Sequence, residues 1–178
     1  MNEIMIAEFE KIRVALGDEI CKMRGGAILI TGATGLIGSY LTEFLIYMNE
    51  NHALGVKIFV VSSSYDKLAA RFGAWRNYLQ FVVADLSRQF IFPRKYDFVI
   101  HAASPAHPAA YMNNPVGVMR VNMFGTMSVL DGAIAQNGRM VFISSGEVYG
   151  ASPGPFDESS MCLADMQNVR TCYGESKR

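Results

Sequence analysis

The sequence has few of the features that mark secreted, membrane-bound or metal-binding proteins. Its three cysteines, Cys21, Cys162 and Cys172, are odd in number and lack metal-ligand spacing, which favours idle thiols over a metal site. No apolar run reaches membrane-spanning length, because Glu43 interrupts the richest stretch, 40–48. The N-terminus also lacks the basic start and the small-residue cleavage site of a signal peptide. These absences predict a cytoplasmic protein without a membrane partner.

Net charge, internal repeats and low-complexity tracts are lacking as well. Sixteen basic residues balance sixteen acidic ones, whereas a nucleic-acid surface normally shows a basic excess. The chain is 51% hydrophobic and only 18% charged, which excludes a disordered chain. Its 178 residues are enough for one domain with a buried core.

What the sequence does contain is an alternation of short apolar runs and helical stretches. The apolar runs are 27–31, 56–61, 81–84, 98–100 and 140–143. The helical stretches between them are 37–48, 67–72 and 116–135. Strands that are apolar on both faces and alternate with helices are typical of a parallel sheet covered on both sides. Residues 25–178 are therefore predicted to form an α/β fold with a doubly wound parallel sheet.

Residues 1–24 read as a helical extension that precedes the sheet. An apolar residue recurs there at steps of three or four, which predicts one apolar stripe: Met5, Phe9, Ile12, Leu16, Ile20 and Met23. Gly17 and Asp18 divide the extension into two helical pieces, with Asp18 as the predicted cap of the second. We favour a helix packed on its own domain over a helix that binds a partner.

The other end of the chain lies inside a helix that has only just begun after the fifth strand. No Gly or Pro closes that helix, and doubly wound dinucleotide-binding folds usually have six strands. We therefore expect an N-terminal part of a longer protein, with the substrate domain missing.

Three glycines, Gly32, Gly35 and Gly38, follow the first strand directly and open a helix. Glycines at these positions let the chain turn tightly and let backbone N–H groups approach a pyrophosphate. The strand–turn–helix context is the one that a dinucleotide site requires, whereas an ordinary turn needs no such spacing. The sequence therefore predicts a dinucleotide-binding loop here.

The end of the second strand bears on the choice of cofactor. An acidic residue there favours NAD, whereas nearby basic residues accommodate the phosphate of NADP. This strand ends in Ser62, and Lys67 and Arg71 follow on a helix where they could simply be solvated. The residues alone leave the choice between NAD and NADP open.

The third and fourth strands end in further candidate residues. Asp85 could contact adenine or could simply cap a turn, and for an isolated Asp the turn is the more common role. The fourth strand ends at His101, which we interpret as a packed, hydrogen-bonded histidine rather than a catalytic base. Small residues follow it, 102–105, and they allow the backbone to lie against a flat ring or a ribose.

Tyr173 and Lys177 are four residues apart and hence on one face of a helix. A lysine ammonium one turn from a tyrosine favours the phenolate, which can then act as a base. Ser145, after the fifth strand, can hydrogen-bond the same substrate hydroxyl. The pattern is common on helices by itself, but it becomes specific together with the glycine loop and this serine.

Taken together, the motifs resemble the extended short-chain dehydrogenase/reductase family, the NAD-dependent sugar-nucleotide epimerases and dehydratases. The resemblance covers about residues 26–178 and includes Asn122, Gly125 and Thr126 on the long helix. The motifs that carry it are ITGATGLIGS at 30–39, ADL at 84–86, HAASPA at 101–106, ISSGEVYG at 143–150 and YGESK at 173–177.

This resemblance implies a Rossmann fold, a nucleotide-sugar substrate, and NAD as cofactor by family majority. It also implies a homodimer formed through helix 116–135 and the helix that begins near Tyr173. The implied catalytic residues are Ser145, Glu147, Tyr173 and Lys177. The residues implied to bind the cofactor are Gly32, Thr34, Gly35, Leu36, Ile37, Gly38, Ser62, Asp85, Leu86, His101, Ala102, Ala103, Asn122, Tyr173 and Lys177. Those implied to bind the substrate are Ser104, Pro105, Tyr111 and Ser145.

Within the family, the stretch 101–115 looks most like that of UDP-glucuronate decarboxylases, which also carry a glutamate at the position of Glu147. The 4,6-dehydratases typically have an aspartate where this chain has Gly146, and the 4-epimerases a small or hydroxyl residue in place of Glu147. Both alternatives stay open, as does a purely structural role for Glu147. An alternative of another class is a non-catalytic module that only binds a dinucleotide.

Overall fold

Within the residues that the structure describes, 1–92, 94–150 and 154–178, five parallel strands form one sheet in this computed structural model. The strands are β1 (Ala27–Thr31), β2 (Lys57–Ser62), β3 (Leu79–Val83), β4 (Phe98–His101) and β5 (Arg139–Phe142). Their order in the sheet is β3-β2-β1-β4-β5, and every neighbouring pair is parallel. This confirms the predicted doubly wound sheet, with strand boundaries that differ by at most two residues.

Six α-helices in the described ranges connect and flank the strands. They are α1 (Glu3–Leu16), α2 (Leu36–His52), α3 (Tyr65–Phe72), α4 (Pro108–Asn113), α5 (Pro115–Ala135) and α6 (Thr171–Lys177). Short 3₁₀ helices cover Gly17–Met23, Gly73–Trp75 and Gly146–Tyr149. Helix α4 was not predicted, although Pro108 at its first turn and the capping side chain of His107 are ordinary helix-start signals.

Successive side chains of the central strands enter two separate hydrophobic layers. Ile28 and Ile30 of β1 pack with residues of α1, α2 and α3, whereas Leu29 packs with Val129 of α5 on the other face. This alternation follows from the pleat of a strand, which points neighbouring side chains to opposite faces. Because both faces are covered by helices, apolar residues are needed at every position, as the uninterrupted apolar runs predicted.

Helix α1 packs against α2 through an aromatic cluster. Phe9 is fully buried, and its ring centroid lies 5.1 Å from that of Tyr40, 5.6 Å from that of Phe44 and 5.7 Å from that of Tyr47. Such a cluster adds to the free energy of burial, because aromatic pairs at these distances attract each other. The packing agrees with our preference for a helix that docks on its own chain.

The predicted cap at Asp18 is wrong. Leu16 keeps a right-handed helical backbone, so the 3₁₀ helix Gly17–Met23 follows α1 directly, and it begins without a side-chain cap. The helical path is broken at Gly17, which has a φ of +53°, and the 3₁₀ helix already begins there, so Asp18 lies inside this helix and not at its capping position. The cap that does form is at the start of α1, where the Asn2 side chain accepts a 2.9 Å hydrogen bond from the Met5 N–H.

A helix that crosses a bilayer must be both long and apolar, and this can be checked for the described helices. None of them combines the length and the hydropathy that a membrane crossing needs.

Candidate functional site

The loop after β1 lies where the sheet reverses its winding, between β1 and β4. Gly32 has a φ of +66°, and a Cβ on it would lie 2.6 Å from the backbone of Ala102. A Cβ on Gly38, in the first turn of α2, would lie 2.4 Å from the carbonyl oxygen of Gly32. Only glycine fits at both positions, so the loop backbone and the start of α2 come together closely. This is the arrangement that places backbone N–H groups and a helix N-terminus against a pyrophosphate.

Two cavities meet at this loop and together form a groove along the carboxyl ends of the strands, which we call the cofactor groove. The first cavity has a volume of about 280 Å³, and its walls include Gly32, Gly35, Leu36, Ile37, Gly38, Ala102, Ser104, Tyr173 and Lys177. The second has about 370 Å³, and its walls include Gly32, Thr34, Ser62, Ser63, Lys67, Asp85, Leu86, Ala103, Ser104 and Pro105. Gly32 and Ser104 belong to both, so the groove is continuous across the glycine loop.

Most of the predicted cofactor residues therefore line one groove, and the glycine loop lies at its middle. That loop would hold the pyrophosphate of NAD, and the two cavities would take the two nucleoside ends. The small residues Ala102 and Ala103, which follow β4, line the groove without long side chains that would fill it. The residues present thus fit a dinucleotide.

His101 lies beneath the groove rather than on its wall. It is fully buried; its Nδ1 is 2.6 Å from the Thr31 hydroxyl, and its Nε2 is 3.1 Å from the Thr126 hydroxyl. The Thr31 oxygen also accepts a hydrogen bond from the Ala103 N–H, and both hydroxyls suit a neutral ring, because each can donate to an unprotonated ring nitrogen and accept from a protonated one. Burial, and then the nearby Lys177 ammonium, lower the pKa of His101 to about 4. The structure confirms a packed, hydrogen-bonded histidine, and the lowered pKa favours its neutral form.

Tyr173 and Lys177 lie together on α6, and both line the first cavity. The Lys177 Nζ donates a 2.8 Å hydrogen bond to the Ile143 carbonyl and lies 4.6 Å from the centroid of the Phe142 ring. Burial lowers the pKa of Lys177 to about 8, because a charged amine is costly away from water. Tyr173 stacks on Tyr111 with ring centroids 5.3 Å apart. The helix thus presents a phenol and an amine to the same cavity.

Asn122 is buried on α5 and joins two elements that border the groove. Its side-chain oxygen accepts a 2.7 Å hydrogen bond from the Ser104 hydroxyl, and its Nδ2 donates a 2.9 Å bond to the Ser176 hydroxyl. Like His101, it lies behind the wall of the groove. Its contacts hold the loop after β4 and helix α6 against α5.

Ser145 and Glu147 belong to a different region, around the 3₁₀ helix Gly146–Tyr149. The Ser145 hydroxyl accepts a 3.2 Å hydrogen bond from the Glu147 N–H and so caps this helix. The Glu147 carboxylate pairs with the Arg170 guanidinium, whose centre lies 5.8 Å from the ring of Tyr111. Glu147 and Arg170 line a third cavity of about 410 Å³. The structure thus adds Arg170, which the sequence analysis missed although it lies only three residues before Tyr173.

Asp85 closes a turn at one end of the cofactor groove, which confirms the turn role, while its contact with adenine stays a prediction. Its carboxylate accepts hydrogen bonds from the Ser87 N–H at 3.0 Å and the Ser87 hydroxyl at 2.8 Å, which closes a turn and lowers the pKa of the carboxyl. It also lines the second cavity. The turn therefore holds this carboxylate at the end of the groove.

Metal and thiol chemistry find little support in the described parts of the chain. No group of three potential ligands from His, Cys, Asp and Glu comes together among the described residues. The cysteines are free, and burial raises the pKa of the Cys172 thiol, which disfavours the nucleophilic thiolate.

The neutral state of His101 leads to a testable pH dependence. Between its ordinary pKa of 6.5 and about 4, the unfolded chain binds a proton that folded His101 does not. The free energy of unfolding should therefore fall as the pH falls through this window, by up to about 3 kcal/mol from this group.

The chain has three histidines, so imidazole NMR can follow each ring separately. We expect one imidazole to stay neutral from pH 8 down to 5, and His101→Gln to remove that signal. A wild-type spectrum in which all three rings titrate near the ordinary value would contradict the assignment.

Comparison with known proteins places these features in a family. Residues 28–178 match the model of the NAD dependent epimerase/dehydratase family. UDP-glucuronic acid decarboxylase 6 of Arabidopsis thaliana is 33% identical over 152 residues, which are 85% of this chain and 43% of that protein. UDP-glucuronic acid decarboxylase 1 of Danio rerio is 31% identical over 154 residues, 85% of this chain and 35% of that protein. The chain thus spans less than half the length of these relatives.

A solved structure shows the same fold. The ADP-L-glycero-D-manno-heptose-6-epimerase of Helicobacter pylori superposes with a TM-score of 0.67 at 24% identity, covering 88% of this chain and 48% of the epimerase. The shared fold, the glycine loop and the extent of the family match lead to one conclusion: the chain is a member of the NAD dependent epimerase/dehydratase family, and its cofactor is NAD.

Proposed function

We propose that the chain is the cofactor-binding part of a cytoplasmic enzyme that decarboxylates UDP-glucuronate, a lyase reaction that proceeds through oxidation at C4 of the sugar. The observation that carries the enzymatic part of this proposal is the placement of Tyr173 and Lys177. Both are buried, both line the first cavity, and that cavity is continuous with the glycine loop. A module that only binds a dinucleotide needs no such pair.

In the proposed reaction, NAD when bound supplies the acceptor for a hydride from C4. Tyr173 takes the proton of the sugar 4-hydroxyl, and the Lys177 ammonium stabilises the phenolate. With a pKa of about 8, Lys177 is mostly charged at neutral pH and can play this part. The Ile143 carbonyl and the Phe142 ring hold the ammonium in place. The resulting 4-ketone accepts the electron pair of the C5–C6 bond as CO2 leaves, and the enolate so formed takes a proton from solvent at C5. When the 4-ketone is reduced again, Tyr173 gives its proton back to the 4-hydroxyl.

The position of Arg170 favours a substrate that carries a carboxylate. Its planar guanidinium already binds one carboxylate, that of Glu147, beside Tyr111, which stacks on Tyr173. The Arg170–Glu147 pair is exposed, unlike a pair with a buried partner, so the guanidinium can exchange the Glu147 carboxylate for that of a substrate, whose two oxygens its N–H donors also fit. UDP-glucuronate offers such a group at C6, whereas UDP-glucose and dTDP-glucose carry a neutral hydroxymethyl group there. The decarboxylase names of the relatives point in the same direction.

Helix α5 supports the proposal of a homodimer. Its residues Met123, Met127, Leu130 and Ile134 are all exposed and recur at steps of four and three, so they form one apolar stripe on the helix surface. A stripe of this kind on a soluble protein is expected to be covered, and a two-fold axis would place it against its own copy.

Replacement of Tyr173 tests the catalytic assignment. In the full-length enzyme of which this chain is proposed to be the cofactor-binding part, Tyr173→Phe should lower turnover of UDP-glucuronate by about 10²–10⁴-fold, the usual contribution of an acid–base group, while NADH still binds. Tyr65→Phe, which removes a hydroxyl from the exposed face of α3, is the matched control and should leave turnover unchanged. A wild-type protein that binds NADH but turns over no nucleotide sugar would instead favour the non-catalytic module.

The role of Arg170 is tested by comparing two nucleotide sugars. Arg170→Gln should weaken binding of UDP-glucuronate about tenfold or more relative to UDP-glucose, because only the former has the carboxylate. Arg139→Gln, a change at an exposed arginine at the start of β5, is the control. If Arg170→Gln weakened the binding of both nucleotide sugars equally, Arg170 would not bind the carboxylate.

The dimer is tested by sedimentation velocity. Met127→Glu should convert the protein to a monomer, because it places a charge in the middle of the stripe. Ile4→Glu, at an exposed apolar position on α1, should leave the dimer intact. A wild-type monomer at high concentration would refute the proposed interface.

A further inference from the structure

The wall of the second cavity contains no carboxylate at the end of β2. The strand ends at Ser62, and the cavity continues over Ser63 to Lys67 in the first turns of α3. Among the described residues on this wall, the one carboxylate is that of Asp85, which comes from beyond β3 and is engaged by Ser87. The end of β2 therefore offers hydroxyls and an amine.

The position matters because the end of the second strand faces the adenosine ribose in dinucleotide sites of this topology. A carboxylate there accepts hydrogen bonds from the 2′- and 3′-hydroxyls of NAD and repels the 2′-phosphate of NADP. Ser62 and Ser63 cannot repel a phosphate, since their hydroxyls can donate hydrogen bonds to it. The discrimination against NADP that an acidic residue supplies is thus lacking at this point.

Lys67 adds an attractive charge to this end of the groove. Its side chain is exposed, and in the described ranges no carboxylate lies within ion-pair distance of its ammonium. Its backbone N–H is directed to the Ser64 side chain, which caps α3. Arg71, by contrast, is held by the buried Glu43 and is not available.

From these observations we propose that the adenosine end of the groove accepts a 2′-phosphate, so that the chain binds NADP(H) as well as NAD(H). Ser62, Ser63 and Lys67 form the phosphate subsite. The inference rests on the cofactor groove and is independent of the reaction proposed above.

The test is a fluorescence titration of the chain with NADH and with NADPH at pH 7.5. We expect both to bind, with dissociation constants within about tenfold of each other. Lys67→Met should lower the affinity for NADPH relative to NADH about tenfold, as expected for loss of a charge-assisted contact to phosphate. Raising the salt concentration should also lower the affinity for NADPH relative to that for NADH, because salt screens the attraction between the exposed Lys67 ammonium and the phosphate.

Two further variants make the result specific. Lys57→Met removes an exposed lysine at the opposite end of β2 and should leave the ratio unchanged. Ser62→Asp introduces the missing carboxylate and should weaken NADPH at least tenfold relative to NADH.

The outcomes distinguish a failure of the phosphate subsite from a failure of the whole cofactor groove. Tight NADH binding with NADPH more than about 30-fold weaker, or an unchanged ratio in both Lys67→Met and Ser62→Asp, would overturn the phosphate subsite and leave the groove intact. If a chain shown to be folded by circular dichroism bound neither cofactor, the assignment of the groove would fail, and the subsite with it.

Discussion

The contact between the backbones of Gly32 and Ala102 is the constraint on which the site depends. It brings the loop after β1 against the loop after β4 with no room for a side chain between them. The parallel pairing of Thr31 with His101, one residue earlier on each strand, sets the register for this contact. Because Gly38 meets the carbonyl of Gly32, the start of α2 is positioned by the same approach. The loop and the start of α2 together form the floor of the groove, and Gly32 lines both of its cavities.

A buried layer of uncharged hydrogen bonds supports this floor. Thr31, His101 and Thr126 connect β1, β4 and α5, while Asn122 extends the connection to α6 through Ser176. Helix α6, which carries Tyr173 and Lys177, is therefore held relative to the glycine loop by side chains that do not touch the groove. A neutral His101 suits this place, because a second positive charge near the buried Lys177 would be costly.

Local patterns in the sequence predicted most strands and helices. They could not predict contacts between segments that are far apart in the chain. The five strands, the glycine loop and the shared face of Tyr173 and Lys177 follow from periodicity and spacing over a few residues. The Glu147–Arg170 pair joins positions 23 residues apart, and nothing in either local pattern indicates that they meet. The Asp18 cap failed for a related reason: the 3₁₀ helix already begins at Gly17, which residue preference alone does not reveal.

The groove is built from separate parts of the chain, the ends of β1, β2, β3 and β4 and one face of α6. These parts come together only in the folded chain, so an unfolded molecule has no comparable affinity for a dinucleotide. Each tenfold excess of cofactor over its dissociation constant then adds about 1.4 kcal/mol to the free energy of unfolding. The fraction of molecules that are folded is thereby tied to the supply of the cofactor, and depletion of that supply exposes the chain to proteolysis.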